Sequence, residues 1–237
     1  METAETRQPI REAKDTQGGT RAENELLISA ATNRTEMGGV CPVDTQVLKE
    51  TLLSYHRLEE NVSVWRRPSQ EFSGFLYKTE GMVQEGVQRI IEFIRPGDCR
   101  MKWDTLMTSM KILEEPAEGC CVVQYTTAGQ LLNIISSREF VDFSVTGDCE
   151  LGGRFSCGVS VYDAPAGRGL VRGFNHPCGW FCTPTQEPGQ SLLTGYIHTE
   201  LRGALPQKAV DTAMAGGLIR FYRDLQEALD KAEPEPL

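Results

Sequence analysis

Short runs of β-branched and aromatic residues recur between residues 107 and 201, and they constrain the fold more than any other feature of the chain. Their spacing of about 10–15 residues is typical of consecutive β-strands. Gly152-Gly153 and Pro188-Gly189 are turn signals that leave short connections, and short connections join antiparallel strands. The strands are predicted at residues 107–114, 119–127, 139–146, 154–162, 170–175, 178–184 and 191–201.

One long amphipathic helix is predicted after the strands, from Pro206 to about Lys231. Two adjacent glycines, Gly216 and Gly217, lie in its middle, where each costs about 1 kcal/mol relative to alanine. They indicate either close packing against a neighbour or a point where the helix bends or frays. The apolar stripe consists of Val210, Met214, Leu218, Phe221, Leu225 and Leu229. Helices packed on a curved antiparallel sheet make the predicted fold class α+β.

The N-terminal part is predicted to contain fewer strands. Residues 1–40 show no sustained hydrophobic period, so we expect a disordered tail there, and a second short tail at 233–237. Between them, residues 41–232 are expected to form the folded domain. Its first elements are predicted as a helix capped by Asp44, strands at 62–65 and 75–83, and a helix at 87–94.

The charge balance and the absence of long apolar runs narrow the class of protein. Lys and Arg number 24 against 33 Asp and Glu, a net charge of -9, whereas nucleic-acid binders normally carry a basic surface. No apolar run approaches the roughly 18 residues of a transmembrane helix, and we find no signal peptide. The eight cysteines are therefore expected to be reduced thiols in the cytoplasm, and no nucleic-acid partner is expected.

Catalytic and metal-binding patterns are weak in this sequence. It contains no nucleophile elbow, no zinc-protease pair of histidines and no phosphate loop. His176, Cys178 and Cys182, with Cys157, form the only loose set of zinc ligands. Cys178 and Cys182 share one face of a predicted strand, which explains them without a metal. We expect no catalytic residues, no metal and no cofactor.

One segment between two predicted strands is unusually apolar. Residues 126–137 should form a surface loop, yet they include four large aliphatic residues. Such a loop must either bury itself or face something apolar. The four residues are Leu131, Leu132, Ile134 and Ile135.

Several long motifs resemble the START (StAR-related lipid transfer) domain family, and in particular its small soluble sterol-carrier subgroup. The similarity covers about residues 43–232. The motifs that carry it are Ser137–Asp142, Arg172–Trp180 and Leu201–Asp211, together with Leu106–Ser109, Tyr125–Ile135 and Ser191–Ile197.

The resemblance implies a helix-grip fold, in which a curved antiparallel sheet and a long C-terminal helix enclose one lipid tunnel. It implies a monomeric, non-enzymatic carrier that moves one sterol, cholesterol or an oxysterol, between membranes. Such a carrier contacts cytosolic membrane surfaces transiently, including those of the endoplasmic reticulum and endosomes. Residues 126–137 match the family's gating loop, hereafter the gate loop, whose four aliphatic residues would touch the membrane. The residues expected to line the cavity are Tyr125, Ser144, Ser156, Met214 and Leu218.

The sequence departs from its relatives at two places. Between Glu60 and Val62 the chain is shorter, so the first strand of the sheet is expected to be missing or truncated. Glu227 stands where relatives carry a basic residue on the last helix, which weakens the expected preference for anionic membranes. Some relatives pair an acidic with a basic residue inside the tunnel, and Tyr125 and Ser144 occupy those positions here, so no buried ion pair is expected there.

Two other functions remain open at this stage. An enzyme can be built on the same scaffold, since fold alone does not define activity, and it would need an acid and a base converging in the tunnel. A lipid sensor, whose exposed loops bind a protein partner, would hold a lipid without exchanging it between membranes.

Overall fold

The computed structural model describes residues 57–59, 62–161 and 166–232, and their arrangement confirms the predicted α+β class. The strands are β1 (Arg57–Glu59), β2 (Val62–Pro68), β3 (Phe75–Val83), β4 (Met107–Ala117), β5 (Cys120–Thr127), β6 (Arg138–Cys149), β7 (Gly153–Ser160), β8 (Val171–Arg172), β9 (Phe174–Asn175), β10 (Cys178–Pro184), β11 (Ser191–Ile197) and β12 (Thr199–Glu200). The helices are α1 (Val87–Ile94), α2 (Asp98–Met101) and α3 (Gln207–Lys231), with a 3₁₀ turn at Glu150–Gly152.

The main sheet is antiparallel along the order β1-β2-β3-β11-β10-β7-β6-β5-β4. Short connections produce this order, because β4 to β7 follow one another as hairpins and β10 and β11 form another. The two-residue strand β8 pairs with β6 in parallel, and β9 pairs with β12 in a separate two-stranded sheet.

One predicted strand, 170–175, is divided in the structure. It separates into β8 and β9 at Gly173, where a Cβ atom would lie 2.2 Å from the ring of Phe140. The chain therefore passes close over this ring and turns from one sheet to the other. The predicted strand 191–201 is likewise divided into β11 and β12.

The first described strand is short. β1 has three residues and pairs with β2 from Arg57↔Val64 to Glu59↔Val62, at the edge of the main sheet. The predicted helix beginning at Asp44 and the predicted tails 1–40 and 233–237 lie outside the described residues.

The main core lies between one half of the sheet and two helices. Helix α3 contributes much of it through the residues that the apolar stripe predicts, of which Leu218, Leu225 and Leu229 are fully buried. Ile90 and Ile91 of α1 pack in the same core. Within the described part of the chain, no helix is long and apolar enough to cross a membrane.

Candidate functional site

A cavity of about 750 Å³ lies between the sheet and helix α3. Inward-facing residues of β4 to β7 and β10 form its wall, while α3 and the first part of the gate loop complete it. Its volume falls within the range of about 300–1,000 Å³ that is usual for small-molecule sites. The apolar residues that line it include Met107, Met110, Val123, Phe140, Trp180, Ile197 and Phe221.

The alternation of side chains along the strands decides which residues face the cavity. On β6, Phe140, Asp142 and Ser144 are two residues apart and share the inner face. Their intervening neighbours Val141 and Phe143 belong to an apolar cluster on the opposite face of the sheet. An apolar strand with two polar inward positions thus gives the cavity its polar groups.

All five residues predicted to line the cavity do so in the structure, namely Tyr125, Ser144, Ser156, Met214 and Leu218. Ser144 Oγ donates to the Cys157 carbonyl at 3.3 Å, and Ser156 Oγ accepts from Thr146 Oγ1 at 3.3 Å. The acceptor oxygen of Ser144 and the proton of Ser156 are therefore available to a polar group of a ligand. What these side chains contact when a ligand is bound stays a prediction.

The gate loop carries an unusual run of left-handed backbone. Leu131, Leu132 and Asn133 have φ of 49°, 54° and 65°, a conformation that costs a non-glycine residue roughly 1–2 kcal/mol. The turn is closed by paired backbone hydrogen bonds between Gln130 and Ile135, at 2.7 and 3.2 Å. The strained turn projects the side chain of Leu132 outward, where it is 102% exposed.

The four predicted membrane-contact residues do not share one environment. Leu131, Leu132 and Ile134 are exposed, and Leu131 also borders the cavity. Ile135 is only 1% exposed, because the bridge to Gln130 turns it into the protein. In this conformation Ile135 anchors the loop and cannot touch a membrane, so the expectation for this residue is corrected.

A buried arginine, to which the sequence analysis assigned no role in the site, holds the end of the gate loop. The Arg138 guanidinium is 2% exposed and donates to the carbonyls of Ser136, of Leu201 at 3.0 Å and of Arg202 at 2.9 Å. Burial lowers its pKa. Since Leu201 and Arg202 lead into α3, this side chain ties the gate loop to the approach to the helix.

A second feature missed from the sequence is a polar cluster in the cavity wall. Asp142 accepts from Tyr125 Oη at 2.9 Å, Ser160 Oγ at 2.7 Å and Asn175 Nδ2 at 2.7 Å. Asn175 Nδ2 also donates to Tyr125 Oη, and Thr199 Oγ1 donates to Asn175 Oδ1. Burial raises the pKa of Asp142, against the opposing effect of these hydrogen bonds, and raises that of Tyr125 well above its usual value.

Asp142 receives its hydrogen bonds from neutral side chains. Among the described residues, two ion pairs lie nearby. Arg172 Nη2 lies 2.9 Å from Glu139 Oε1, and neither residue lines the cavity. By contrast, Arg100 and Asp104, which pair at 2.7 Å, both line it. Glu139 stands at an outward position of β6, out of phase with Asp142.

The glycine pair of α3 lies against the cavity. A Cβ atom at Gly216 or Gly217 would meet nothing within 4 Å outside its own stretch of helix. Close packing therefore does not explain them, and the interpretation that the helix bends or frays here stays a prediction. The helix is continuous through both residues in this conformation.

The loose zinc-ligand set does not assemble. Among the described residues, no three of His, Cys, Asp and Glu come close enough to hold a metal ion. Cys178 lines the cavity and Cys182 lies in the main core, whereas the His176 ring stacks on Phe72 at 5.2 Å.

A largely apolar cavity with a few polar groups, partly covered by a helix and an apolar loop, is typical of a lipid-binding domain. The sequence supports the same class, because the family model of the START domain matches residues 52–235. The chain belongs to the START family.

The chain is similar to several lipid transfer proteins. Human StAR-related lipid transfer protein 4 is 56% identical over 193 residues, covering 77% of this chain and 94% of that protein. Human StAR-related lipid transfer protein 5 is 37% identical over 199 residues, covering 78% and 93%. The solved structure of human StAR-related lipid transfer protein 5 matches with a TM-score of 0.76 at 33% identity, covering 89% of this chain and 98% of that chain. These relatives are named as lipid transfer proteins, in agreement with the expectation that the chain is not an enzyme.

Proposed function

We propose that this protein carries one sterol, cholesterol or an oxysterol, in its cavity and moves it between membranes. The observation that carries the proposal is the cavity itself, which is large and mostly apolar, with a minority of polar and charged groups. A sterol has the same distribution, because a rigid apolar body ends in one hydroxyl group.

The energy of burial is sufficient for such a ligand. A sterol offers roughly 400 Å² of apolar surface, which is worth about 10 kcal/mol at 25 cal/mol/Å² as an upper value. Lost translation and rotation reduce this sum. The hydroxyl must also be satisfied, since burying it without a partner costs about 1–3 kcal/mol. Ser144 and Ser156, with a bridging water, supply suitable groups.

The gate loop is the proposed route of entry. Its exposed residues Leu131, Leu132 and Ile134 would dip into a membrane surface and free the end of the cavity that Leu131 borders. Lid motions of this kind commonly take μs–ms. Because the chain carries a net charge of -9, apolar insertion rather than charge attraction would drive this contact.

We also propose that the carrier acts as a monomer in the cytoplasm, with transient contacts to membranes of the endoplasmic reticulum and endosomes. A test is the transfer of a fluorescent sterol from donor to acceptor phosphatidylcholine vesicles. Acceleration proportional to protein concentration is expected. A protein that binds the sterol and never releases it to acceptor vesicles would instead be a lipid sensor.

A further inference from the structure

Asp142 provides the strongest hydrogen-bond acceptor of the inner cavity wall. It lies at the middle of the wall on β6, between the inward residues Phe140 and Ser144, and is 6% exposed. Four further charged residues line the cavity, and two of them, Arg100 and Asp104, pair with each other at 2.7 Å. The other two are Arg220 and Asp224 on α3.

The pattern of donors defines the state of the Asp142 carboxyl group. Tyr125 and Asn175 both donate to Oδ2, and Ser160 donates to Oδ1. All three neighbours donate to the carboxyl group, so an ionised carboxylate, which accepts at both oxygens, fits the cluster without rearrangement. A carboxylate offers about four acceptor positions, and these three donors leave one position open on Oδ1.

A ligand group is recognised at this position by whether it carries a hydrogen that it can donate. A hydroxyl can donate to Oδ1, and a hydrogen bond to a charged group is stronger than one between neutral partners. A ketone or ester oxygen at the same place has no hydrogen to donate, and it would set an acceptor against a buried carboxylate. Ser144, two residues further along the same face, stands about 7 Å away, and a water that donates both to its free acceptor position and to the ligand oxygen can bridge them.

We propose that Asp142 is the specificity-determining residue of the cavity, an inference that rests on the proposed sterol carriage. Asp142 selects lipids with a free hydroxyl over the same lipids in ketone or ester form. Tyr125, Ser160 and Asn175 hold its carboxylate in the orientation that accepts the ligand hydroxyl.

The test compares two ligands that differ only at the polar end, cholesterol and its 3-ketone, by equilibrium titration of the full chain. The wild type should bind the alcohol roughly 10- to 100-fold more tightly. Asp142→Asn keeps the shape, and Ser160 can reverse its hydroxyl to accept from the new amide. In this variant the ratio of the two affinities should fall to within about threefold, which is the preference that neutral hydrogen bonds alone are expected to leave.

Asp148→Asn is the matched control, since Asp148 lies on the same strand, is exposed and does not line the cavity. It should retain the preference for the alcohol. An Asp142→Asn variant with the wild-type ratio would overturn the inference, and so would a wild type without preference, although sterol carriage would then stand. A wild type that binds neither ligand would overturn both proposals.

A second measurement needs no variant. With ¹³C-labelled aspartate, the carboxyl resonance of Asp142 should shift on addition of cholesterol and stay in place on addition of the ketone. Equal shifts with both ligands would contradict a selective contact at this carboxylate.

Discussion

Replacing Leu132 by aspartate isolates the role of the gate loop. The Leu132 side chain is 102% exposed, so its removal costs the folded protein no buried contact. Its φ of 54° is a conformation that aspartate tolerates better than leucine does. We therefore expect Leu132→Asp to fold with an unchanged or slightly raised Tm.

The magnitude follows from the area that the loop would bury in a membrane. A leucine side chain transferred fully from water contributes about 1.5–3 kcal/mol. Since about 1.4 kcal/mol corresponds to a factor of ten, losing this contribution weakens membrane contact by roughly 10- to 100-fold. An aspartate in the interface adds a further cost. Sterol transfer by Leu132→Asp should be slower by about tenfold or more.

The assay is the transfer of a fluorescent sterol between neutral phosphatidylcholine vesicles, where the added negative charge meets no surface potential. Leu151→Asp is a matched control, because Leu151 is 90% exposed with a φ of 59°. It lies past the far end of β6, about 40 Å from the gate loop at 3.3 Å per strand residue. Equal transfer rates for Leu132→Asp and the wild type would refute the reasoning.

Two further predictions concern the cavity. Gly216→Ala and Gly217→Ala should each raise the Tm by about 2–4 °C, since helix propensity improves by about 1 kcal/mol. Each should also slow sterol release, because it stiffens α3. Thermal melting measures the first effect and stopped-flow release the second, and an unchanged release rate would contradict the bend. Replacing both Ser144 and Ser156 by alanine should weaken sterol affinity by about tenfold, from a cost of about 1–3 kcal/mol; titration showing less than a twofold change would exclude a direct role.

The strand pattern was predictable because alternation and turn residues are local properties. β10 was predicted at 178–184 and spans Cys178–Pro184, and the long helix begins within one residue of its predicted start. The division at Gly173 was not predictable, since it depends on the ring of Phe140, which comes from a strand more than thirty residues earlier.

Some of the cavity and gate-loop residues could be predicted from the sequence, and others could not. The alternation that places Ser144 on the inner face also places Asp142 there, so a usable signal for Asp142 existed and was overlooked. Arg138 had no such signal, because its carbonyl partners at Leu201 and Arg202 lie more than sixty residues away. Ile135 was assigned by its apolar character and by the resemblance of its loop to the family's gating loop, whereas a backbone bridge decides its burial.

The central claim, one sterol in one cavity, is tested most directly by equilibrium titration of the purified chain with labelled cholesterol in competition with phosphatidylcholine, read together with native mass spectrometry. The account predicts saturation at one sterol per chain, with the bound mass equal to that of one sterol and no displacement by excess phospholipid. Saturation by phospholipid without competition from sterol would contradict it.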